Sequence, residues 1–195
     1  MAAAIDAGAQ ARLFTDARTP QGFVDHPFTR ADAEAIYNLA RWGPTSNNMS
    51  PMRIVWLLDH DGRERLARHA VSKNAEKIRA APAALVLGME TDFRASLKTL
   101  APHVDADAMY GDAGARRTNA LRNSAMQAGY LTMAARALGF DIGWMSGFDA
   151  GAVDADFFAG TTVAANMIGT VGRGDPASVR PRAARLPFEA ANLIP

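Results

Sequence analysis

Residues Gly43–Pro51 read Gly-Pro-Thr-Ser-Asn-Asn-Met-Ser-Pro. A segment with apolar residues at helical spacing (Ala33, Ile36, Tyr37, Ala40) ends just before this stretch, and the apolar run Ile54–Leu58 follows it. The succession is therefore helix, polar loop, buried strand. Pro44 and Pro51 fix their own φ angles and restrict the residues before them, so the loop is stiff. Thr45, Ser46, Asn47, Asn48 and Ser50 give it hydroxyls and amides that cannot pack as core. Such a loop suits gripping the polar edge of a flat heterocycle. It equally suits an ordinary helix-to-strand turn, where Pro, Asn and Ser are common.

Working outward, Thr29 with Asp32 three residues on forms a capping box for the helix before the loop, and Gly43 closes that helix. Upstream, Ala7–Phe14 reads as a short helix and Thr15–Pro27 as an irregular arm. Downstream, Asp61-Gly62 reads as a turn, Arg63–Ala70 and Ser72–Ala80 as helices, and Ala83–Met89 as a strand after Pro82. Thr91–Leu100 is helical and Pro102–Ala115 is a long loop. Arg117–Leu138 is the longest helix, with Leu121, Ala125, Ala128, Leu131, Ala135 and Leu138 on one stripe and small residues on its other faces. Phe140–Gly147 is strand and turn, Asp149 caps a helix to Phe158, and Ala164–Val171 is a strand. The strands are few and separated by helices, which predicts α+β, or α/β with a small central sheet. With 195 residues and no internal repeat, the chain reads as one domain, 1–195, with an N-terminal arm and a C-terminal tail.

Composition excludes several classes. A formal net charge of +1 argues against whole-surface binding of nucleic acid. The absence of cysteine removes disulfides, thiolate nucleophiles and cysteine metal sites. No stretch approaches ~18 consecutive apolar residues, and the first ten residues lack a basic, then apolar, leader pattern. A cytoplasmic location is expected.

Other motifs fail on context. Gly169, Gly172 and Gly174 are not in G-x-G-x-x-G order and no helix follows, so they read as strand-end turn glycines. Asp105, Asp107 and Asp112 suggest a calcium loop, but Gly111 is one place late and Arg116 stands where a glutamate is required. The four histidines have no metal-ligand spacing, and there is no G-x-S-x-G elbow. His103, on the long loop, is a solvated histidine or a substrate contact. Asn74 and Lys77, three apart on a predicted helix, face one way. Together they either form a solvated face or hold the O=C–N–H–C=O edge of a pyrimidine-like ring. Arg182 and Arg185 have little opposite charge around them and form a basic tail or a phosphate clamp. Gly147 follows Trp144, Met145 and Ser146 at a strand end and permits a backbone N–H to approach a ligand.

In chain order these features resemble the nitroreductase family of FMN flavoproteins. The order runs from the Arg-Thr arm through Pro-Thr-Ser-x-Asn-x-Ser-Pro, Asn-x-x-Lys, the long small-residue helix and Ser-Gly-Phe-Asp to the terminal arginine pair before Leu-Pro-Phe-Glu. The resemblance spans Leu13 to Leu193. Leu13–Thr19 (LFTDART), Trp42–Ser46 (WGPTS), Arg122–Gln127 (RNSAMQ), Met145–Asp149 (MSGFD) and Phe157–Gly160 (FFAG) are similar to the malonic semialdehyde reductase branch, which forms 3-hydroxypropionate in pyrimidine breakdown.

The resemblance implies an intertwined homodimer with a small, mainly antiparallel sheet surrounded by helices and two FMN sites at the subunit interface. It implies that Arg18 and Thr19 meet the phosphate and ribityl chain, and that Pro44, Thr45, Ser46 and Asn48 cover the flavin from the partner subunit. Asn74 and Lys77 then meet the pyrimidine edge, Ser146 and Gly147 the N5 region, and Arg182 and Arg185 the phosphate. Lys77 has the catalytic role, as the cation that favours flavin reduction. NADH or NADPH is the co-substrate in ping-pong turnover, and His103 and Arg122 are candidates for an anionic substrate. Broad nitro or quinone reduction, and flavin binding without turnover, are the alternatives. Three positions depart from the family pattern: Ala17 and Gln21 stand where basic residues are frequent, and Ser50 where glutamine is frequent.

Overall fold

A computed structural model describes residues 3–194; Met1, Ala2 and Pro195 lie outside the described residues. Its centre is an antiparallel sheet of β1 (Met52–Leu57), β2 (Ala83–Glu90), β3 (Asp141–Met145) and β4 (Val163–Gly172), in the spatial order β1-β2-β4-β3. β2 is the apolar run expected of a strand covered on both faces, and its Val86 stands opposite Val55 of β1 and Ile168 of β4. Around the sheet lie α1 (Ala7–Gln10), α2 (Arg30–Ala40), α3 (His60–Ala67), α4 (Ser72–Ala80), α5 (Arg94–Leu100), α6 (Ala106–Met109), α7 (Ala113–Ala137), α8 (Ala150–Phe157) and α9 (Phe188–Ala191). The class is α+β.

Side chains alternate across the sheet and so feed two cores. Leu85 and Leu87 point into one, with Ile36 of α2 and Leu131 of α7. Ala84 and Val86 point into the other, with Leu66 of α3, Ile78 of α4 and Val153 of α8. A third cluster of Met49, Phe93, Leu97 and Tyr110 ties α5 and α6 to the loop before β1.

Local signals set most boundaries. The Thr29–Asp32 capping box starts α2, and Asp149 accepts from Ala152 N to start α8. α3 begins earlier than expected. Asp59 accepts from Gly62 N (2.7 Å), so Asp61-Gly62 forms a first helical turn and not a separate bend. The segment Pro102–Ala115 is likewise not a plain loop. Asp105 caps α6 within it and Asp112 caps α7, which is why these carboxylates resemble a calcium loop without being one. Gly169 and Gly172 lie inside β4 and are not turn glycines.

The inward face of α7 also differs from the expected stripe. Ala128, Leu131 and Ala135 are buried, but Leu121, Ala125 and Leu138 are exposed. In their place Asn123, Ser124 and Gln127 are buried. The reason is hydrogen bonding. Gln127 Oε1 accepts from Met52 N (2.9 Å), Asn123 Oδ1 from Ser46 N (2.8 Å) and Ser124 Oγ from Asn166 Nδ2 (2.8 Å). Polar side chains of the helix thus accept from donors of the neighbouring loop and strand, of which the Met52 N–H would otherwise be stranded in the core.

Replacing Gln127 by Leu preserves bulk but orphans the buried Met52 N–H. Chemical denaturation is expected to show a loss of about 1–3 kcal/mol; an unchanged midpoint would contradict this account.

Candidate functional site

The N-terminal arm runs beside the chain that leaves β4. Val24 N donates to Arg173 O (2.9 Å), Phe23 bridges Gly174, and Asp175 N donates to Gly22 O (3.1 Å). This pairing brings both ends of the chain to one cleft of ≈ 300 Å³, lined by Arg18, Thr19, Arg136, Arg180, Arg182 and Arg185, with Gln21 at its wall. No Asp or Glu lines it among the described residues. The guanidinium groups are held by carbonyls. Arg18 donates to Arg180 O, Arg182 to Thr15 O (2.5 Å) and Ala17 O (3.2 Å), and Arg136 to Leu13 O (2.8 Å). Carbonyl dipoles orient these groups without cancelling their charge. Behind the cleft, burial raises the pKa of Asp141, against the attraction of Arg12 and a hydrogen bond from Gly174, and burial lowers that of Arg136. A larger depression, ≈ 550 Å³, is lined by Asp25 and Asp59 as well as Arg63 and Arg79. Its mixed charge selects no ligand, so size does not decide the site.

α4 forms where expected, and Asn74 and Lys77 share one face of it. Asn74 Nδ2 donates to Gly147 O (3.0 Å), and Val71 N donates to the same carbonyl (3.1 Å). Only glycine fits at 147: a Cβ there would lie 2.8 Å from Asn74 Nδ2 and 2.9 Å from Val71 Cγ2. Ser146 is exposed beside it at the end of β3. Lys77 Nζ donates to Gln21 Oε1 (3.0 Å), which joins this corner to the arginine cleft.

The turn at Ser146–Phe148 is braced from its other side. His69 O accepts from Asp149 N (2.8 Å), and Ala70 bridges Phe148. His69 and Arg65 both hold Asp156, at 2.8 Å and 2.6 Å, which clamps α3 to α8. The hydrogen bond from Arg65, reinforced by His69, holds the Asp156 carboxyl down at about 2.

The loop Gly43–Pro51 lies elsewhere. Gly43 packs its backbone on Tyr130, where a Cβ would sit 2.4 Å from the ring. Asn47, Asn48 and Ser50 have positive φ values of 47°, 53° and 40°. Asparagine tolerates this region; serine does so at a cost of order 1 kcal/mol or more. The loop is held there by side chains: Ser50 N donates to Thr45 Oγ1 (3.1 Å), Asn48 Nδ2 to Leu100 O (2.9 Å) and Asn47 Nδ2 to Tyr110 Oη (2.7 Å). Pro44, Ser46 and Asn48 remain exposed and Thr45 is half-buried. Among the described residues the loop shares neither a hydrogen bond nor a cleft with Arg18, Asn74, Lys77 or Arg182. His103, in the turn between α5 and α6, and Arg122, on α7, are also exposed and outside the cleft.

The sequence pattern of the Nitroreductase family matches residues 15–173. The chain belongs to that family. A relative from Stutzerimonas stutzeri, provisionally named an NADH dehydrogenase/NAD(P)H nitroreductase, is 45% identical over 195 residues, the whole of both chains. The crystal structure of a provisionally named nitroreductase from Bacillus subtilis superposes with a TM-score of 0.85 at 22% identity, covering 97% of this chain and all of that one. That of a similarly named Exiguobacterium sibiricum protein in complex with FMN has a TM-score of 0.83 at 19% identity, covering 100% and 99% of the two chains. At these identities the two structures establish the fold.

The nitroreductase fold here gathers Arg18, Thr19, Arg182 and Arg185 in one cleft, links Lys77 to it and sets Asn74 against Gly147. It leaves the loop residues outside that cleft. Arg136 and Arg180 are additions to the expected cleft residues, and Gln21 enters the cleft at an arm position noted above only as a departure from the family pattern. Arg180 lies two residues from Arg182 and carried a readable signal; the places of Arg136 and Gln21 are set by tertiary packing.

The Asp156 clamp has a defined pH signature. Its folded pKa of about 2 lies below the unfolded value. Its stabilisation is therefore present above about pH 4 and fades as pH falls towards 2. Asp156→Asn is expected to cost roughly 1 kcal/mol at neutral pH and to flatten the stability–pH curve across that acid limb. Parallel acid limbs for mutant and wild type would refute the clamp.

Proposed function

We propose that this chain binds FMN and passes hydride from NADH or NADPH to a small oxidised acceptor, with malonic semialdehyde, reduced to 3-hydroxypropionate, as the acceptor. The observation that carries the flavin reading is the acid-free arginine cleft joined through Gln21 to Lys77, beside the Asn74–Gly147 corner. The donor set fits the cofactor. Guanidinium groups at one end suit a phosphate dianion, an amide and an ammonium suit the edge of a flavin ring, and the absent Cβ at Gly147 lets Asn74 and Val71 close on the turn that carries Ser146.

FMN, when bound, supplies hydride transfer between the nicotinamide and the acceptor. The chain's own residues bind and orient. Arg18, Arg182 and Arg185, with Arg136 and Arg180 beside them, hold the phosphate, and Thr19 meets the ribityl chain. Asn74 grips the pyrimidine edge and Lys77 places a positive charge there, which favours reduction. Ser146 and Gly147 face the N5 region. Pro44, Thr45, Ser46 and Asn48 act from the partner subunit of a homodimer. Their distance from the cleft in the same protomer fits that role, as does the exposed apolar skin of Tyr37, Leu39, Trp42, Leu121, Met126 and Tyr130 on α2, α7 and the loop. In net terms the aldehyde gains a hydride at carbon and a solvent proton at oxygen. His103 and Arg122 are candidates to attract the substrate carboxylate.

The choice of malonic semialdehyde rests on the LFTDART, WGPTS, RNSAMQ, MSGFD and FFAG stretches. The names of the full-length relatives favour a second reading, a broader NAD(P)H nitro or quinone reductase.

Protein loaded with FMN is expected to stay yellow through dialysis, to bleach with NADH or NADPH, and to turn over malonic semialdehyde faster than nitroaromatics or quinones. Faster nitro or quinone turnover selects the second reading. A yellow protein that neither nucleotide bleaches is a flavin binder without turnover. Arg185→Ala is expected to weaken FMN binding about tenfold through loss of one charge-assisted contact. Lys77→Ala is expected to slow bleaching without unfolding the chain, and dilution to monomers to release FMN. Unaltered FMN retention in the first, or an unaltered bleaching rate in the second, removes the residue from its role.

A further inference from the structure

We infer that Gln21 is the positioning residue for Lys77, an assignment that rests on the FMN reading above. Gln21 Oε1 accepts from Lys77 Nζ at 3.0 Å, across 56 residues of sequence, and both side chains are half-buried. Lysine has three donors and no acceptor, so the amide carbonyl must face it, which turns the amide NH2 away. Two ammonium protons remain for a ligand.

The Gln21 side chain springs from an immobile backbone. Pro20 before it is buried and fixes its own φ. Gln21 N and Gly22 N both donate to Ser178 Oγ, at 3.1 and 3.0 Å. Ser178 Oγ in turn donates to Asp175 O (2.8 Å), and Phe23 bridges Gly174 immediately downstream. The exit of β4 thus anchors the arm, the arm anchors Gln21, and Gln21 anchors the ammonium.

The chemistry of the tether matters as much as its geometry. Lys77 stands near a cleft lined by arginines and makes no ion pair with a carboxylate among the described residues. A free lysine there would swing towards solvent, losing little enthalpy and gaining the rotamer freedom of its long stem. A carboxylate at position 21 would hold it but neutralise it. A basic residue would repel it. Glutamine is a neutral acceptor of sufficient reach, so it fixes the ammonium and leaves the charge intact. Gln21 also lines the cleft itself, so one side chain couples the phosphate end of the site to the edge that Lys77 serves.

The test is a double-mutant cycle on the full-length protein, reading FMN affinity by flavin fluorescence quenching and the flavin midpoint potential. Gln21→Met keeps length and removes the acceptor; Gln21→Asn keeps polarity and falls short of Lys77. Each is expected to weaken FMN binding by about tenfold and to make the potential more negative. In a Lys77→Met background the same substitutions are expected to change affinity by no more than about twofold. Wild-type protein that binds no FMN overturns the FMN reading and the inference with it. Wild-type protein that binds FMN, with both Gln21 variants matching it, overturns the positioning role alone. A loss that persists undiminished in the Lys77→Met background, or that leaves the potential unmoved, shows that Gln21 supports the arm and not the lysine.

Discussion

Phe23 pairs with Gly174, and Val24 with Arg173, at the point where β4 hands the chain to its tail. The meeting of the arm and tail arginines depends on that short antiparallel contact. Arg18 and Arg180 are 162 residues apart in sequence, yet the side chain of one donates to the carbonyl of the other. Like charges do not converge without cause. Here convergence is imposed by backbone pairing and made tolerable by carbonyl acceptors, those of Thr15 and Ala17 for Arg182 and that of Leu13 for Arg136. Carboxylates would relieve the repulsion more fully, but they would also occupy the cleft as a bound anion does. A cation cluster stabilised by dipoles stays ready for a ligand charge.

A second constraint acts on the loop 43–51, which shares no hydrogen bond with the cleft residues among the described residues. The buried amides of α7 hold the loop 43–51 through Ser46 N, and three residues of that loop adopt left-handed backbone angles. Strain of this kind persists only where neighbours over-determine it, and it is common at sites of ligand contact. The loop therefore exposes Pro44, Ser46 and Asn48 from a firmly held base. The loop and the arginine cleft thus sit apart in one chain, so the flavin contact proposed above for the loop requires a second copy, for which the exposed apolar side chains around α2 and α7 offer a face.

Much of this was legible in the sequence, for local reasons. Asn74 and Lys77 share a face because α4 forms over Ser72–Ala80 as its spacing predicts. The capping box at Thr29 and the cap at Asp149 act within one turn and need no tertiary help. The failures are equally physical. Amphipathic reasoning picks the most apolar stripe of α7, which includes Leu121 and Leu138, both exposed in the structure. The fold instead buries Asn123, Ser124 and Gln127, because backbone and side-chain donors of neighbouring segments need acceptors there. Arg136 entered the cleft only through packing between segments distant in sequence, which no periodicity encodes.

Net charge illustrates the same limit. Twenty-one basic against twenty acidic residues gives a chain that is nearly neutral. The acids are not spread evenly among the bases. Asp6, Asp59, Asp105, Asp112, Asp149 and Asp175 each accept backbone N–H groups at the start of a helical segment. Asp92 and Asp156 are held by Arg94 and Arg65. None of these carboxylates lines the cleft of Arg18, Arg136, Arg180, Arg182 and Arg185. A near-neutral chain can in this way concentrate positive charge in one cleft without making its whole surface basic. It is that partition of charge, and not the total, that suits the site to a small phosphorylated cofactor and unsuits the molecule to a polyanion.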